Sequence, residues 1–422
     1  MERHRNPVLI FLIFVFVYAL GSFSKVPFGD CMPLVLDTEL GIFVHTATPI
    51  SHFLYTNAAV LIKNITGLDA LLVSRYLVIL CGAFAVMMVY KTVLLITKKA
   101  WISIVAAFVF GFSFTFWRNA EIVEVYTFNM VWVSLFIYYL IKVFLDDNKR
   151  ETHIIFSSFF LSVGLWAHIQ NIFFLPSLAL MLIFVKGDKP TVLTAVLLPI
   201  FSFALMIVLN LSQNLPPESI LKAGDKTWVS DSFNKDLITY IKDFIKALGY
   251  LVYNFNIFTI AGIFGIMTLY RMHFRLFVAI SAAAVLVYGF ATFYAVTDNY
   301  VFFLPFNYIF ALSIGLGLSC IKNLKRLAVL SPVCLLIPLI YISAYNAAFK
   351  IPAAEKFDVA KSYKGGLRYY LLPWMNDNVG ILEFTIENRT APEAVTWMVN
   401  SANEYIEIMK KKGLTAEEIK AR

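Results

Sequence analysis

Between residues 7 and 347 the chain is filled by about eleven apolar stretches of near-bilayer length, separated by short polar interruptions. In lipid every backbone N–H and C=O must find an internal partner, so only helices and closed barrels can span. These runs are continuous rather than alternating, which excludes a barrel. The sequence therefore specifies an all-α polytopic integral membrane protein. Composition agrees: 15% of the 422 residues are charged and the mean hydropathy is +0.75, against roughly 25% charged in soluble chains.

The basic residues set the topology. They cluster at span ends, as Arg3/Arg5, Lys98/Lys99, Lys149/Arg150, Arg271/Arg275 and Lys322/Lys325/Arg326. Cytoplasmic loops carry the lysine and arginine excess, so these clusters mark the cytoplasmic face and place the N-terminus there. They account for most of the net charge of +8, and no nucleic-acid partner is implied. The apolar run 7–23 imitates a secretory signal peptide, but it reaches the lower limit of a span and many spans follow; it reads as an uncleaved first helix.

Further spans are expected near 70–96, 101–117, 124–145, 153–168, 172–186, 190–211, 249–271, 275–296, 300–321 and 327–347. The run 53–62 is too short to cross and reads as an interfacial or re-entrant helix. The first outer loop 24–52, a polar loop 212–246 and a short tail 350–422 are left on the outer face, with residues 1–349 as the transmembrane domain and the C-terminus outside. No internal repeat points to an inverted-repeat transporter. The stretch 237–248, LITYIKDFIKAL, has lysines four residues apart beside Leu, Ile and Phe, the pattern of a helix lying on the membrane surface.

This topology brings Asp30, Arg118, Glu124, His168 and Asp298 to the outer face. Asp30 follows the first span in Phe28-Gly29-Asp30, where glycine permits a sharp turn. In FWRNAEIVEVY, Arg118 ends one span while Glu121, Glu124 and Tyr126 begin the next. Acidic residues in a first turn are ordinary complements of the helix dipole. Glu124 and Tyr126 nevertheless fall about one turn into the membrane, where a carboxylate needs a partner. Arg118 can be that partner, or can bind a phosphate through two parallel hydrogen bonds.

His168 and Asp298 sit at outer span ends, and each alone reads as a loop residue. Together the five suit a site for an anionic, lipid-anchored molecule, with cations for phosphate and a carboxylate for proton abstraction. Walker, HExxH, dinucleotide and GxSxG patterns are missing, so a nucleotide-fuelled reaction is not expected. Cys31, Cys81, Cys320 and Cys334 show neither close pairing nor metal spacing.

The order of these residues resembles the membrane glycosyltransferases of the GT-C superfamily and, within it, the DUF2723 family that includes the TMEM260-type protein O-mannosyltransferases. The resemblance covers most of residues 1–375. Gly29-Asp30 matches a Gly-Asp pair after the first span; HTATPISHFLY, with His45 and Pro49, matches a histidine and prolines before a Tyr-containing helix. Trp117 and Val123-Glu124-Val125-Tyr126 are similar to the family's Trp and Ala-Glu-Val-Tyr, and His168 to its histidine after a Gly-Leu run. Asp298 with the following VFFLP resembles an Asp-x-x-x-Phe-Leu-Pro segment, and RYYLLPW from Arg368 resembles a segment of the tail. Where the family places Ser-Gly-Glu after Gly-Asp, this chain has Cys31-Met32-Pro33, so a carboxylate beside Asp30 is lost unless Asp37 or Glu39 replaces it. The His-Pro-Pro-Gly-Tyr-Pro-like stretch is altered as well, which bears on acceptor recognition.

The resemblance implies inverting transfer of one sugar, mannose or a related hexose, from a polyprenyl-phosphate donor to an acceptor hydroxyl, that of protein Ser or Thr, at the outer face. It makes Asp30 the base. Arg118, Glu124, Tyr126, His168, Asp298 and Arg368 would hold the donor phosphate or sugar, with His45, His52 and Asp37 on the acceptor or loop side. No cofactor is required beyond the lipid-linked donor, and a divalent metal is not favoured because cations can stabilise the leaving phosphate. Expected partners are that donor, a protein or lipid acceptor and membrane lipids. A lipid or polysaccharide acceptor stays open, as does a flippase of lipid-linked sugar, although a transporter would place ionisable groups near mid-span. The expected location is a bacterial inner membrane with the site facing the periplasm, or the endoplasmic reticulum membrane in a eukaryote.

Overall fold

Apolar runs become helices here, and glycine, proline and capping carboxylates decide where each one starts and stops. The computed structural model describes residues 2–22, 25–222, 224, 226–296, 298–321 and 331–422, and every regular element among them is helical. Lys322, Lys325 and Arg326, the side chains of Arg3 and Arg5, Ser24, and the first residues of the expected 327–347 span lie outside the described residues.

After α1 (Glu2–Ser22), Asp30 sits at the N-terminal end of a short α2 (Cys31–Leu40), which stops at Gly41 with φ 68°. α3 (Phe53–Thr66) has 14 residues, too few to cross. The next helix, α4 (Ala70–Thr97), is capped by Asp69, which accepts from the amides of Leu71 at 3.0 Å and Leu72 at 3.3 Å. There follow α5 (Ala100–Gly111), α6 (Phe114–Glu121), α7 (Tyr126–Leu145), α8 (Arg150–Ala167), α9 (Leu175–Phe184) and α10 (Lys189–Ser212). After the 212–246 loop with its short α11 (Trp228–Phe233) come α12 (Leu237–Phe255), α13 (Phe258–Met272), α14 (Phe274–Phe293), α15 (Leu304–Ser319) and α16 (Ile337–Ala348). The tail holds α17 (Pro352–Ala360), α18 (Gly366–Leu371), α19 (Ile381–Ile386), α20 (Thr396–Lys411) and α21 (Ala416–Lys420).

Among the described residues five helices are long and apolar enough to cross a membrane, or up to eight if each bent pair is one span. The expected spans 70–96, 124–145, 190–211 and 275–296 fall on α4, α7, α10 and α14. Two expected straight spans are broken instead. The 101–117 span divides into α5 and α6, bent by 67°, and the 249–271 span into α12 and α13, bent by 102° where Asn256 adopts φ 42°. The second break lets α12 leave the bundle and expose Leu237, Ile238, Ile241, Ile245 and Leu248 along one side. That is the geometry of a helix resting on the lipid surface.

α13 and α15 touch through their backbones. A Cβ at Gly265 would lie 1.7 Å from the Ser313 carbonyl oxygen, and one at Gly317 would lie 1.8 Å from that of Ala261. Ala261/Gly265 and Ser313/Gly317 thus form reciprocal pairs of small residues four apart, the device by which membrane helices approach closely without a hydrophobic driving force.

The tail folds back on the segment that joins α1 to α2 and on α2 itself. Val26, Phe28, Met32 and Val35 share one core with Phe384, Tyr405, Ile406 and Met409. The Val26 amide donates to the Arg422 carbonyl and the Ile381 amide to the Val26 carbonyl, each at 2.9 Å. Glu121 ties the same region to the bundle: it accepts from Trp117 Nε1 at 2.5 Å and from the Met375 amide at 2.9 Å, and Gly21 leaves room for its carboxyl. Glu121→Ala would strand both buried donors and should destabilise the fold by about 1–3 kcal/mol per donor. A thermal-melting series in detergent checks this; a wild-type midpoint would show that the latch carries no load.

Candidate active site

Gly29 adopts φ 123°, and a Cβ added there would come within 3.5 Å of Glu124 Oε1. This turn, closed to larger residues by its conformation, sets Asp30 at the start of α2 with its side chain open to solvent. The Asp30 amide donates to the Glu124 carboxylate, and Cys31 Sγ lies 3.7 Å from Glu124 Oε1. Glu124, in the turn between α6 and α7, is only 9% exposed. Asp298, at the head of the turn Asn299–Phe303, is close enough for its charge to act on both.

Three carboxylates therefore converge, from three segments far apart in sequence. Asp30 keeps solvent access while protein surrounds it on its other sides, and this loss of hydration, followed by the charge of Asp298, pushes its carboxyl up to about 6. Burial first, then Asp30 and Asp298, hold Glu124 well above the carboxylate range. Lost hydration raises Asp298 too, opposed by a backbone hydrogen bond and by Lys246. Lys246 projects from α12, where it donates to Asn299 Oδ1 at 3.2 Å and lies over the Tyr250 ring.

Arg118 is 2% exposed. Its Nη1 donates to the Tyr369 carbonyl, its guanidinium lies 4.2 Å from the Tyr369 ring centroid, and its charge acts on Tyr300. It reaches the carboxylates through Tyr300, two residues from Asp298, rather than facing solvent itself. Lys364 stands over Tyr369 from the tail, at 5.5 Å, and is pulled down to about 8 by lost hydration and then by Lys361 and Arg118.

On the other side of the cluster, the charges of Asp298, Glu124 and Asp30 all act on Tyr126. The Tyr126 ring centroid is 5.9 Å from that of His168, which is 6.1 Å from that of His52. Burial holds both histidines neutral, His52 lowered to about 4 and His168 to about 3. They line a small cavity with Pro49, Trp166 and Ile220.

Asp30, Glu124, Tyr126, His168, Asp298 and His52 are thus brought together, with Arg118 behind them. Asp37 faces Glu404 of the tail, and Glu39 is taken by Lys63 and Lys412, so the carboxylates beside Asp30 are Glu124 and Asp298 rather than either of these. His45 is exposed, and no contact among the described residues ties it to the cluster. Arg368 pairs with exposed Asp377 at 3.3 Å. Sequence reasoning passed over Tyr300, Tyr369, Lys364 and Lys246. The signals were present: Tyr369 follows Arg368 in RYYLLPW, and Lys246 belongs to the amphipathic lysine pair. No group of three or more His, Cys, Asp or Glu among the described residues is disposed to hold a metal ion.

The fold is shared with ArnT from Cupriavidus metallidurans. In its apo state ArnT superposes with a TM-score of 0.59 at 13% identity, over 82% of this chain and 65% of that one. Bound to undecaprenyl phosphate it superposes with a TM-score of 0.57 at 13% identity, over 81% and 64%. The chain therefore spans less than two-thirds of ArnT's length and shares ArnT's fold. Residues 39–191 match the sequence model of the protein O-mannosyl-transferase TMEM260 N-terminal domain, which bears out over this segment the resemblance to the TMEM260-type proteins. No protein of curated description matches the chain.

Proposed function

We propose that this protein moves a single sugar, mannose or a related hexose, from a polyprenyl-phosphate donor to a protein Ser or Thr hydroxyl, with inversion. The observation that carries this reading is Asp30: a solvent-accessible carboxylate pushed up to about 6, flanked by Asp298 and Glu124. The match of residues 39–191 to a protein O-mannosyl-transferase domain and the fold shared with ArnT, which has been solved with undecaprenyl phosphate, support it.

In this mechanism an Asp30 oxygen removes the acceptor hydroxyl proton as the acceptor's own oxygen attacks the anomeric carbon. The bond between the anomeric carbon and the phosphate oxygen breaks on the opposite face, and its electron pair leaves with the phosphate. Lys246 neutralises the departing charge, with Arg118 acting through Tyr300. Tyr126, His168 and Asp298 hold the sugar, and lost hydration, followed by the charge of Asp298, keeps the Asp30 pKa near the working pH. Arg368 lies on the donor side, and His45, His52 and Asp37 on the acceptor side. No metal is required, since cations are at hand for a single phosphate.

The proposed topology has eleven spans and a cytoplasmic N-terminus. The packing of the tail on the first outer loop supports an outer C-terminus on the same side as Asp30. We assign the protein to a bacterial inner membrane with this side facing the periplasm; in a eukaryote the equivalent face is the lumen of the endoplasmic reticulum.

Lys246→Ala should raise KM for the lipid donor roughly 10- to 100-fold, the range for losing a charged hydrogen bond. Lys242→Ala, one turn away, should leave it within about 2-fold if Lys246 makes a specific contact. Equal effects would reassign both lysines to general membrane attraction. The reading itself is tested by transfer of labelled sugar from a polyprenyl-phosphate-mannose panel, comparing wild type with Asp30→Asn. Label in protein only with wild type is expected. Label in lipid would change the acceptor class, and no Asp30-dependent transfer from any donor would overturn the enzyme.

A further inference from the structure

At the opposite end of the same helices lies a second group of cations. Lys142 stands 16 residues beyond the start of α7 at Tyr126, about 24 Å along the axis, and Lys91 is 21 residues beyond the start of α4, about 32 Å. A hydrocarbon core is about 30 Å thick, so both lie near the membrane face opposite the carboxylates. α4 continues beyond Lys91 for six residues, about 9 Å, which keeps this ammonium below the helix end. A cation at such a depth needs a counter-charge.

The two lysines meet at one ring. Lys91 Nζ is 5.5 Å and Lys142 Nζ 5.4 Å from the centroid of Tyr138, and Lys142 is also 5.7 Å from that of Tyr139. Lost hydration acts on Lys142 first, then the charge of Asp146, with Lys149 and Lys91 opposing Asp146. Asp146 divides its charge between Lys142 and His153, whose Nε2 is 3.1 Å from Asp146 Oδ2, and Asp147 is paired with Arg150. The two ammoniums thus meet at one tyrosine ring on the same membrane face, and Asp146, which also binds His153, is the acid whose charge reaches Lys142; no acid is seen to act on Lys91 among the described residues. Beside the pair, Tyr139 packs on Phe156, which is 41% exposed, and stacks with Phe160, giving an apolar lane toward the lipid.

We propose that Lys91, Lys142 and the Tyr138 ring form a seat for the phosphate of an anionic phospholipid headgroup on this face. One phosphate oxygen meets each ammonium, the tyrosine ring holds the two lysine stems apart, and an acyl chain lies along the Tyr139/Phe156 lane. Basic pockets between membrane helices bind anionic headgroups in this manner. The seat is independent of the transferase reading, because it shares no residue with the carboxylate site.

The test uses purified full-length protein in neutral detergent, titrated with phosphatidylglycerol or phosphatidylcholine of matched chains, with retained lipid counted by native mass spectrometry. Wild type should retain phosphatidylglycerol roughly 10- to 30-fold better than phosphatidylcholine, the scale expected for two lysines. Lys91→Gln/Lys142→Gln should remove that preference. Lys186→Gln/Lys189→Gln takes two exposed lysines, one from the turn before α10 and one from its first residue, and should preserve it. Equal loss in both double variants, or no preference in wild type, overturns the seat. Competition by soluble glycerol phosphate alone, with no gain from acyl chains, would reassign it to free phosphate and overturn the lipid. Unchanged melting of the first double variant in phosphatidylcholine excludes misfolding as the cause.

Discussion

Asp30→Asn should abolish sugar transfer, by about 10²–10⁴-fold as expected for removing a general base, and should leave the protein folded. The reasoning begins with the environment of this one carboxyl, pushed up to about 6 by lost hydration and by Asp298. At pH 7 most of it is ionised and able to accept a proton. The rate should fall with decreasing pH through about 6, by about tenfold for each unit below it. Asp298→Asn removes a neighbouring negative charge and should move this acid limb to lower pH. The stability sign runs the other way. A folded pKa above the ordinary value of 3.8 means that the folded state binds more protons between the two values, so the contribution of Asp30 is fully present below the lower one and is lost as pH rises through about 6. Asparagine escapes that loss, and the melting midpoint at pH 7 should therefore hold or rise slightly, the gain being limited by solvent at an open side chain. A variant retaining a tenth of the wild-type rate, or a wild-type profile flat from pH 5 to 7, would remove Asp30 from its role.

The membrane spans and their order were legible because hydropathy is additive along the chain: α4, α7, α10 and α14 lie within a few residues of their expected bounds. The bends were not. Asn256 ends α12 through a local left-handed conformation, inside a run whose average hydropathy continues smoothly across it. The candidate site was legible as a face. Topology placed Asp30, Glu124, His168 and Asp298 on one side, and the fold brings them within electrostatic or ring contact. What periodicity could not supply was the pairing of long-range partners. Nothing in the sequence near Arg118 announces that Tyr300 and the Tyr369 carbonyl take its guanidinium, or that Asp37 and Glu39 face the tail instead of Asp30. Those choices depend on how the tail packs.

The second large effect is expected at Gly317. A methyl group there would meet the Ala261 carbonyl oxygen at 1.8 Å, and the reciprocal position Gly265 faces the Ser313 carbonyl oxygen at 1.7 Å. Both obstacles are backbone atoms, so no side chain can swing aside, and α13 must move away from α15. Overpacking of this kind destabilises by about 1–3 kcal/mol for a single methyl group, and more for a branched one. Gly317→Ala should lower the melting midpoint by several degrees, roughly 2–4 °C per kcal/mol as for large single domains, and Gly317→Val should fail to give folded protein. The consequence reaches the site, because α13 joins through Asn256 to α12, which carries Lys246 against Asp298 and Asn299. Displacing α13 should therefore raise KM for the lipid donor in the alanine variant while kcat changes less. Gly289 is the control: it lies on α14, and a Cβ there would meet nothing within 4 Å. Gly289→Ala should melt as wild type does. Equal melting of Gly317→Ala and Gly289→Ala would mean that the backbone contact is not what holds α13, and with it Lys246, in place.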